Sequence, residues 1–377
     1  MPRSSQLEIL TLATVLMLSA LIACNGDETP SEADTTTPDT SDTATPDDPE
    51  DQTAPDTGSQ IYWPSTEAWE TVTPEEAGAQ IDKLNEAIEF AESSNSGGLV
   101  ILYGGRIVTE RYWQGWDQDT TMTIYSATKS MTALMAGMAL DEGSFESLDQ
   151  PISDFAPQWV DTPKADITLE HFLTMTTGLS TTPPNLDSET NDQFEGLADG
   201  LALEHTPGTF WEYNTPAYLM MFTMIEKATG ENLEDYAERK LFGPLGMQSP
   251  EWVKIVVSED VTNYRRIECS TRDMARFGLF TLRRGVWNNE QLVSEAYFEK
   301  ATSSYLESKT DYGFLYWLQE VETDSMGTLS AISAIGKDQK LIMAIPALDL
   351  LIVRHGDAAG MGFVGAFAEL VAEAFAE

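Results

Sequence analysis

Cysteine, histidine and basic side chains are all scarce in this chain of 377 residues, which carries two cysteines, three histidines and 21 lysines plus arginines against 62 acids. His171, His205 and His355 stand far apart with no metal-ligand spacing, so neither a zinc centre nor any other metal or cofactor is expected. A net charge of −41 argues against nucleic acid and anionic membrane surfaces as partners and reads as a solvated acidic surface. Cys269 reads as a small buried apolar residue. If Cys24 is modified, Cys269 has no partner in the chain, and the protein folds without a disulfide.

What is present is a candidate nucleophile beside a base. Ser126-Ala127-Thr128-Lys129 is followed by the helical stretch MTALMAGMALDEG, which puts the hydroxyl and the amine three residues apart on one face of a helix. At the helix start, unpaired backbone N–H groups and the positive end of the helix dipole favour negative charge developing on Ser126. Ser-x-x-Lys alone is a frequent chance pattern, so further elements are needed. Two are present downstream: Tyr213-Asn214-Thr215, and Gly336-Lys337-Asp338-Gln339 ahead of the apolar run LIMAIP.

In this order the three elements resemble those of the penicillin-recognising serine hydrolases. Within them the likeness is to the class C β-lactamase branch, which also holds D,D-carboxypeptidases, esterases and 6-aminohexanoate-oligomer hydrolases. GGRIVTERYW, DITLEHFLTMTTGLS, ECSTRDMARFGLFTLRRGVW and YGFLYWL extend the resemblance over roughly residues 75 to 370. It implies an acyl-enzyme on Ser126, with Lys129 sharing its proton and Tyr213 as general base. Lys337 would supply a second positive charge, and Asn214, Thr215 and Gln339 would contact substrate. The oxyanion hole would combine the N–H of Ser126 with one near Gln339 to Leu341. The chain departs from the family in two places. The asparagine falls at Asn214 instead of at the position of Thr215, and the third element ends in Gln339 where a glycine is usual. Both departures favour an ester or small amide, including a 6-aminohexanoate dimer, over a β-lactam or D-alanyl peptide. A module that is acylated by penicillin or peptidoglycan and never turns over remains an alternative of another class.

The apolar run from Ile9 to Ile22, after Arg3 and before Leu21-Ile22-Ala23-Cys24, marks residues 1–24 as a lipoprotein-type signal peptide. Cys24 would be the lipidated N-terminus of an exported bacterial protein, and Asn25 points to the outer membrane. Contact with a membrane would run through that anchor alone, and the partner would be a small ester, amide or peptide-like substrate. Residues 25–60 hold eleven of the acids and no lysine or arginine, too polar to repay the entropy of ordering, and read as a disordered tether.

Residues 61–377 read as one α+β hydrolase domain, an antiparallel sheet flanked by helices with an inserted, mainly helical lobe reaching about residue 255. A helix should start at Thr73-Pro74-Glu75-Glu76, a hairpin should turn at Gly104-Gly105, and a last helix should close the chain. Trp113, Trp116 and above all Trp211 are candidates to line an acyl pocket. His171 and His205 read as structural, and His355 as a residue near the active-site strand.

Overall fold

The computed structural model describes residues 61–182, 193–258 and 261–376; the leader, Cys24 and the acidic tether lie outside them. A six-stranded antiparallel sheet in the order β2-β1-β11-β10-β9-β8 forms the centre. Its strands are β1 (Ser96–Tyr103), β2 (Arg106–Tyr112), β8 (Trp317–Thr323), β9 (Gly327–Gly336), β10 (Lys340–Ile345) and β11 (Leu350–Gly356). Both faces of β1 are buried, with Leu99 and Ile101 turned to one layer and Val100 and Leu102 to the other. The expected hairpin joins β1 and β2, with Gly104 at φ +59° and Gly105 at φ +80°, a left-handed pair that glycine adopts without strain.

Helices α1 (Ile81–Ser93) and α5 (Phe363–Phe375) cover one face of the sheet. They pack through Phe90 and Phe363, whose rings stack at 5.4 Å, and Gln80 N–H donates to Ala374 O at 2.8 Å. The other face receives α2 (Thr128–Asp141), α3 (Thr215–Thr229) and α4 (Thr271–Leu282), with shorter helices between α2 and α3 completing the lobe. A two-stranded ribbon, β6 (Val286–Trp287) and β7 (Glu290–Gln291), follows α4. Every residue of α2 from Thr128 to Ala139 is buried, which explains a helix apolar on all sides.

Two sequence expectations need correction. The motif at Thr73 forms its reciprocal cap, Thr73 N–H to Glu76 Oε2 at 3.0 Å and Glu76 N–H to Thr73 Oγ1 at 3.2 Å, yet closes only a single turn. The chain then leaves helical conformation, and α1 begins at Ile81, where docking on α5 rewards it. The helical lobe also stops earlier than 255: β4 (Glu251–Ser258) pairs with β5 (Val261–Ser270), and β5 pairs with β3 (Thr121–Thr123), in a second, three-stranded sheet. The β-branched run in EWVKIVVS accounts for the strand. This sheet places the nucleophile, because β3 runs directly into the turn that carries Ser126.

Candidate active site

Ser126 lies in a 3-10 turn, Tyr125–Ala127, that feeds into α2. The first N–H groups of such a turn, that of Ser126 among them, have no partner within it and can face an oxyanion. Lys129 is 4% exposed, and its Nζ donates to Ser126 Oγ at 3.4 Å. Two tyrosine rings flank the ammonium, with centroids 5.1 Å away for Tyr213 and 4.4 Å for Tyr218. Among the described residues Lys129 has no carboxylate partner, so the rings and Ser126 take the place of a counter-ion.

The two phenols differ in setting. Tyr218 is buried and shares a hydrogen bond of 2.9 Å with Thr132 Oγ1; burial pushes its pKa well up, so it stays a neutral wall. Tyr213 is half-buried and stacks on Trp317, with centroids 6.0 Å apart and planes at 17°. Of the two phenol rings beside Lys129 it is the less buried. Trp211 packs edge-on against Tyr312 at 5.3 Å and against Trp317 at 6.2 Å, extending the aromatic wall beside Tyr213. Trp113 and Trp116 lie elsewhere: Trp113 packs on the α1–α5 layer, and Trp116 meets His355 edge-on at 5.3 Å.

Asn214 does not offer its amide to a substrate. Its Oδ1 caps α3 by accepting from Ala217 N–H at 2.9 Å, and its Nδ2 donates to Leu179 O at 2.7 Å and Ser180 O at 3.1 Å. With the residue 2% exposed, both amide hydrogens are spent inside the protein. What this cap achieves is to hold Tyr213, its neighbour, at the start of α3. Thr215 is the first residue of that helix.

The third element also differs from expectation. Lys337, Asp338 and Gln339 form the turn between β9 and β10, with Asp338 at φ +62° and Gln339 at φ +57°. Gln339 Oε1 accepts from Ala359 N–H at 2.9 Å, which ties the turn to the segment after β11. Lys337 is exposed, with Nζ 5.6 Å from the centre of the Tyr125 ring. The region Gln339 to Leu341 cannot supply the second oxyanion donor from a free edge, because β10 is paired on both sides, Leu341 lying between Ile335 and Arg354. The open edge belongs to β9. Its pairing with β8 ends at Ser333 opposite Trp317, so among the described residues no strand covers Ala334, Ile335 and Gly336 on that side. Gly336 is pressed against the chain leading to the nucleophile: a Cβ there would come within 2.1 Å of Ile124 O. The close approach therefore requires a glycine at this element, one residue ahead of Lys337.

Two buried cations that the motifs did not reveal fix this turn. Arg354 donates to Asp338 O at 2.6 Å, Ser94 O at 2.8 Å, Asp357 O at 2.6 Å and Ser96 Oγ at 2.9 Å, and burial lowers its pKa to about 10. Lys340 donates to Gly356 O at 2.8 Å and reaches Asp338 Oδ2 at 3.4 Å; burial pulls its pKa down, against the pull of Asp338. Charged residues at the ends of apolar strands, Lys340 before LIMAI and Arg354 within LLIVRHG, were the available signal.

His355 is fully buried; burial, reinforced by Lys340 and Arg354, lowers its pKa to about 3. His171 caps a short helix, its Nδ1 accepting from Thr168 N–H at 3.1 Å, and His205 stacks on Phe210 at 4.1 Å. Cys269 is buried, and burial raises its thiol pKa well above the ordinary value. Among the described residues no cluster of histidine, cysteine or carboxylate side chains is arranged to hold a metal ion.

Residues 87–354 match the sequence profile of the family described as beta-lactamase. The chain belongs to that family. The 6-aminohexanoate-dimer hydrolase of Paenarthrobacter ureafaciens is 22% identical over 268 residues, which cover 64% of this chain and 67% of that protein. The D-alanyl-D-alanine-carboxypeptidase/endopeptidase AmpH of Escherichia coli K12 is 25% identical over 46% of this chain and 50% of its own. The class C beta-lactamase structure from Rhodobacter sphaeroides superposes with a TM-score of 0.59 at 16% identity, covering 77% of this chain and 99% of that one, a likeness of fold. This beta-lactamase-family protein is thus a serine hydrolase with the β-lactamase/transpeptidase-like α+β fold.

Proposed function

We propose that the protein hydrolyses a small carboxylic ester or short amide through an acyl-enzyme on Ser126. Lys129, reacting as the uncharged amine, takes the Ser126 proton as Oγ attacks the carbonyl carbon, and passes a proton through the Tyr213 hydroxyl to the leaving alcohol or amine. Water, deprotonated through the same pair, then attacks the acyl carbon and returns Ser126. The observation that carries this reading is the 3.4 Å contact of Lys129 Nζ with Ser126 Oγ, buried beneath the Tyr213 ring and beside the open edge of β9. The spent amide of Asn214 favours esters and simple amides over a β-lactam or D-alanyl peptide, whose acylamide group needs a side-chain partner.

Assay of the purified protein with a short-chain p-nitrophenyl ester and a chromogenic cephalosporin separates these readings. Ester turnover with negligible cephalosporin hydrolysis is expected; fast cephalosporin hydrolysis would transfer the assignment to a β-lactamase, and a stoichiometric burst without turnover to a penicillin-binding module. Tyr213→Phe should lower kcat by ~10²–10⁴ if the phenol moves the proton. An unchanged kcat in that variant would remove Tyr213 from the mechanism.

We further propose that the protein is an exported lipoprotein, anchored through Cys24 and held off the outer membrane by residues 25–60. Metabolic labelling with a radioactive fatty acid should mark the wild type and leave Cys24→Ser unlabelled. Equal labelling of both would discard the anchor.

A further inference from the structure

Twelve non-glycine residues among those described have positive φ. Most are Asn, Asp, Gln or Arg, and only three are large apolar or aromatic residues: Tyr125 at +49°, Met175 at +59° and Leu315 at +57°. For such side chains the left-handed region is strained. All three adjoin the groups proposed to do the chemistry. Tyr125 immediately precedes Ser126. Leu315 O accepts from Ser130 Oγ at 2.7 Å, at the residue after Lys129. Met175 brackets Tyr213: its O accepts from Glu212 N–H at 3.1 Å and its Sδ from Asn214 N–H at 3.3 Å.

Tyr125 differs from the other two in what holds it. Met175 and Leu315 are buried, and core packing fixes them. Tyr125 is only half-buried, and its ring is gripped by cations instead: Arg266 Cζ and Lys340 Nζ each lie 4.9 Å from its centre, and Lys337 Nζ lies 5.6 Å away. Three positive side chains converge on one ring in a protein whose net charge is −41. A ring face so occupied cannot swing out without giving up those contacts. The backbone of Tyr125 is thereby kept in a conformation that it would otherwise leave.

We propose that Tyr125 is a positioning residue for the nucleophile: its cation-clamped ring holds the strained backbone that aims Ser126 Oγ at Lys129 Nζ. The proposal rests on the reading of Ser126 as nucleophile. It assigns Lys337 a part in the clamp on Tyr125, and it gives the turn between β9 and β10 a direct mechanical link to the serine.

The test compares Tyr125→Phe, Tyr125→Leu, Tyr125→Ala and Tyr125→Gly in the full chain. The readouts are the rate constant for acylation of Ser126 by a fluorophosphonate, kcat and KM for the ester, and the thermal midpoint. Phe keeps the ring and should stay within about 3-fold of wild type in every rate. Leu keeps bulk without a π face, and Leu and Ala should lose roughly 10- to 100-fold in acylation rate and kcat with KM within about 2-fold, the pattern of lost alignment. Gly should match Ala in rate but melt about 2–4 °C higher, because it alone is unstrained at positive φ. Wild-type rates in Leu and Ala would overturn the proposal. So would a fall in Phe as deep as in Ala, which would place the phenolic oxygen in the reaction. A Gly variant no more stable than Ala would show that the position stores no strain. If Ala and Gly do not fold, the Phe-to-Leu comparison decides alone, since those two differ chiefly in the π face. Failure to label the wild-type protein at Ser126 would refute the underlying function. Equal labelling of wild type and all variants would refute only the role of Tyr125.

Discussion

Ser126→Ala will take up no fluorophosphonate, and its ester turnover will fall by up to about 10⁶ in kcat, the scale on which loss of a serine nucleophile is felt. Lys129→Met will come close to that loss in acylation rate, because among the described residues Lys129 Nζ, at 3.4 Å, is the side-chain hydrogen-bond partner of Ser126 Oγ. The two variants should diverge in stability. Lys129 is 4% exposed without a carboxylate partner among the described residues, so the folded protein bears the cost of a buried ammonium. Methionine removes that cost at similar volume. The loss of ring–cation contact with Tyr213 and Tyr218 offsets part of the gain, and Lys129→Met should melt no lower than wild type. A large drop in its thermal midpoint would mean that the lysine is there for the fold and would weaken its catalytic assignment.

Arg354→Met will have the largest effect on folding. The guanidinium is fully buried and joins three separate stretches of chain, donating to the carbonyls of Ser94, Asp338 and Asp357 and to the Ser96 hydroxyl. Its removal leaves buried carbonyl oxygens without donors, at a cost on the order of 3–5 kcal/mol. For a domain of this size that corresponds to a fall in thermal midpoint of about 5–8 °C. Arg354→Lys should recover little, because a single ammonium cannot bridge carbonyls on opposite sides as the planar fork does. The ester kcat of Arg354→Met should fall as well, measured well below its melting point, since the turn at Asp338 loses its anchor. A thermal midpoint within about 2 °C of wild type, roughly one kcal/mol, would show that the bonds to Arg354 are replaced by water.

The Ser126–Lys129 pair was legible because its geometry is local: three residues on a helix fix the distance between the side chains, whatever the rest of the chain does. The central strands β1, β10 and β11 were legible too, since each holds a short run of Val, Ile, Leu or Met. Asn214 and Gln339 were misjudged for one shared reason. A sequence shows which polar groups are available but not which are consumed by capping or by tying loops, as the Asn214 amide and the Gln339 carbonyl oxygen are. The free strand edge was expected one strand too late because a free edge depends on where a neighbouring strand stops. That neighbour, β8, ends its pairing at Trp317, outside any motif. The strain at Tyr125 was hidden as well, since nothing in Ile-Tyr-Ser marks a left-handed backbone.

The same early end of β8 sets a length. From Ser333, where pairing with Trp317 stops, to Gly336, where β9 turns away, the uncovered edge runs for three residues, about 10 Å of extended chain. A substrate lying along it would meet an indole at one end and a reversal of the backbone at the other. On the proposed reading, an acyl chain laid along this edge would have about three residues' length beside Ser126 before the backbone turns.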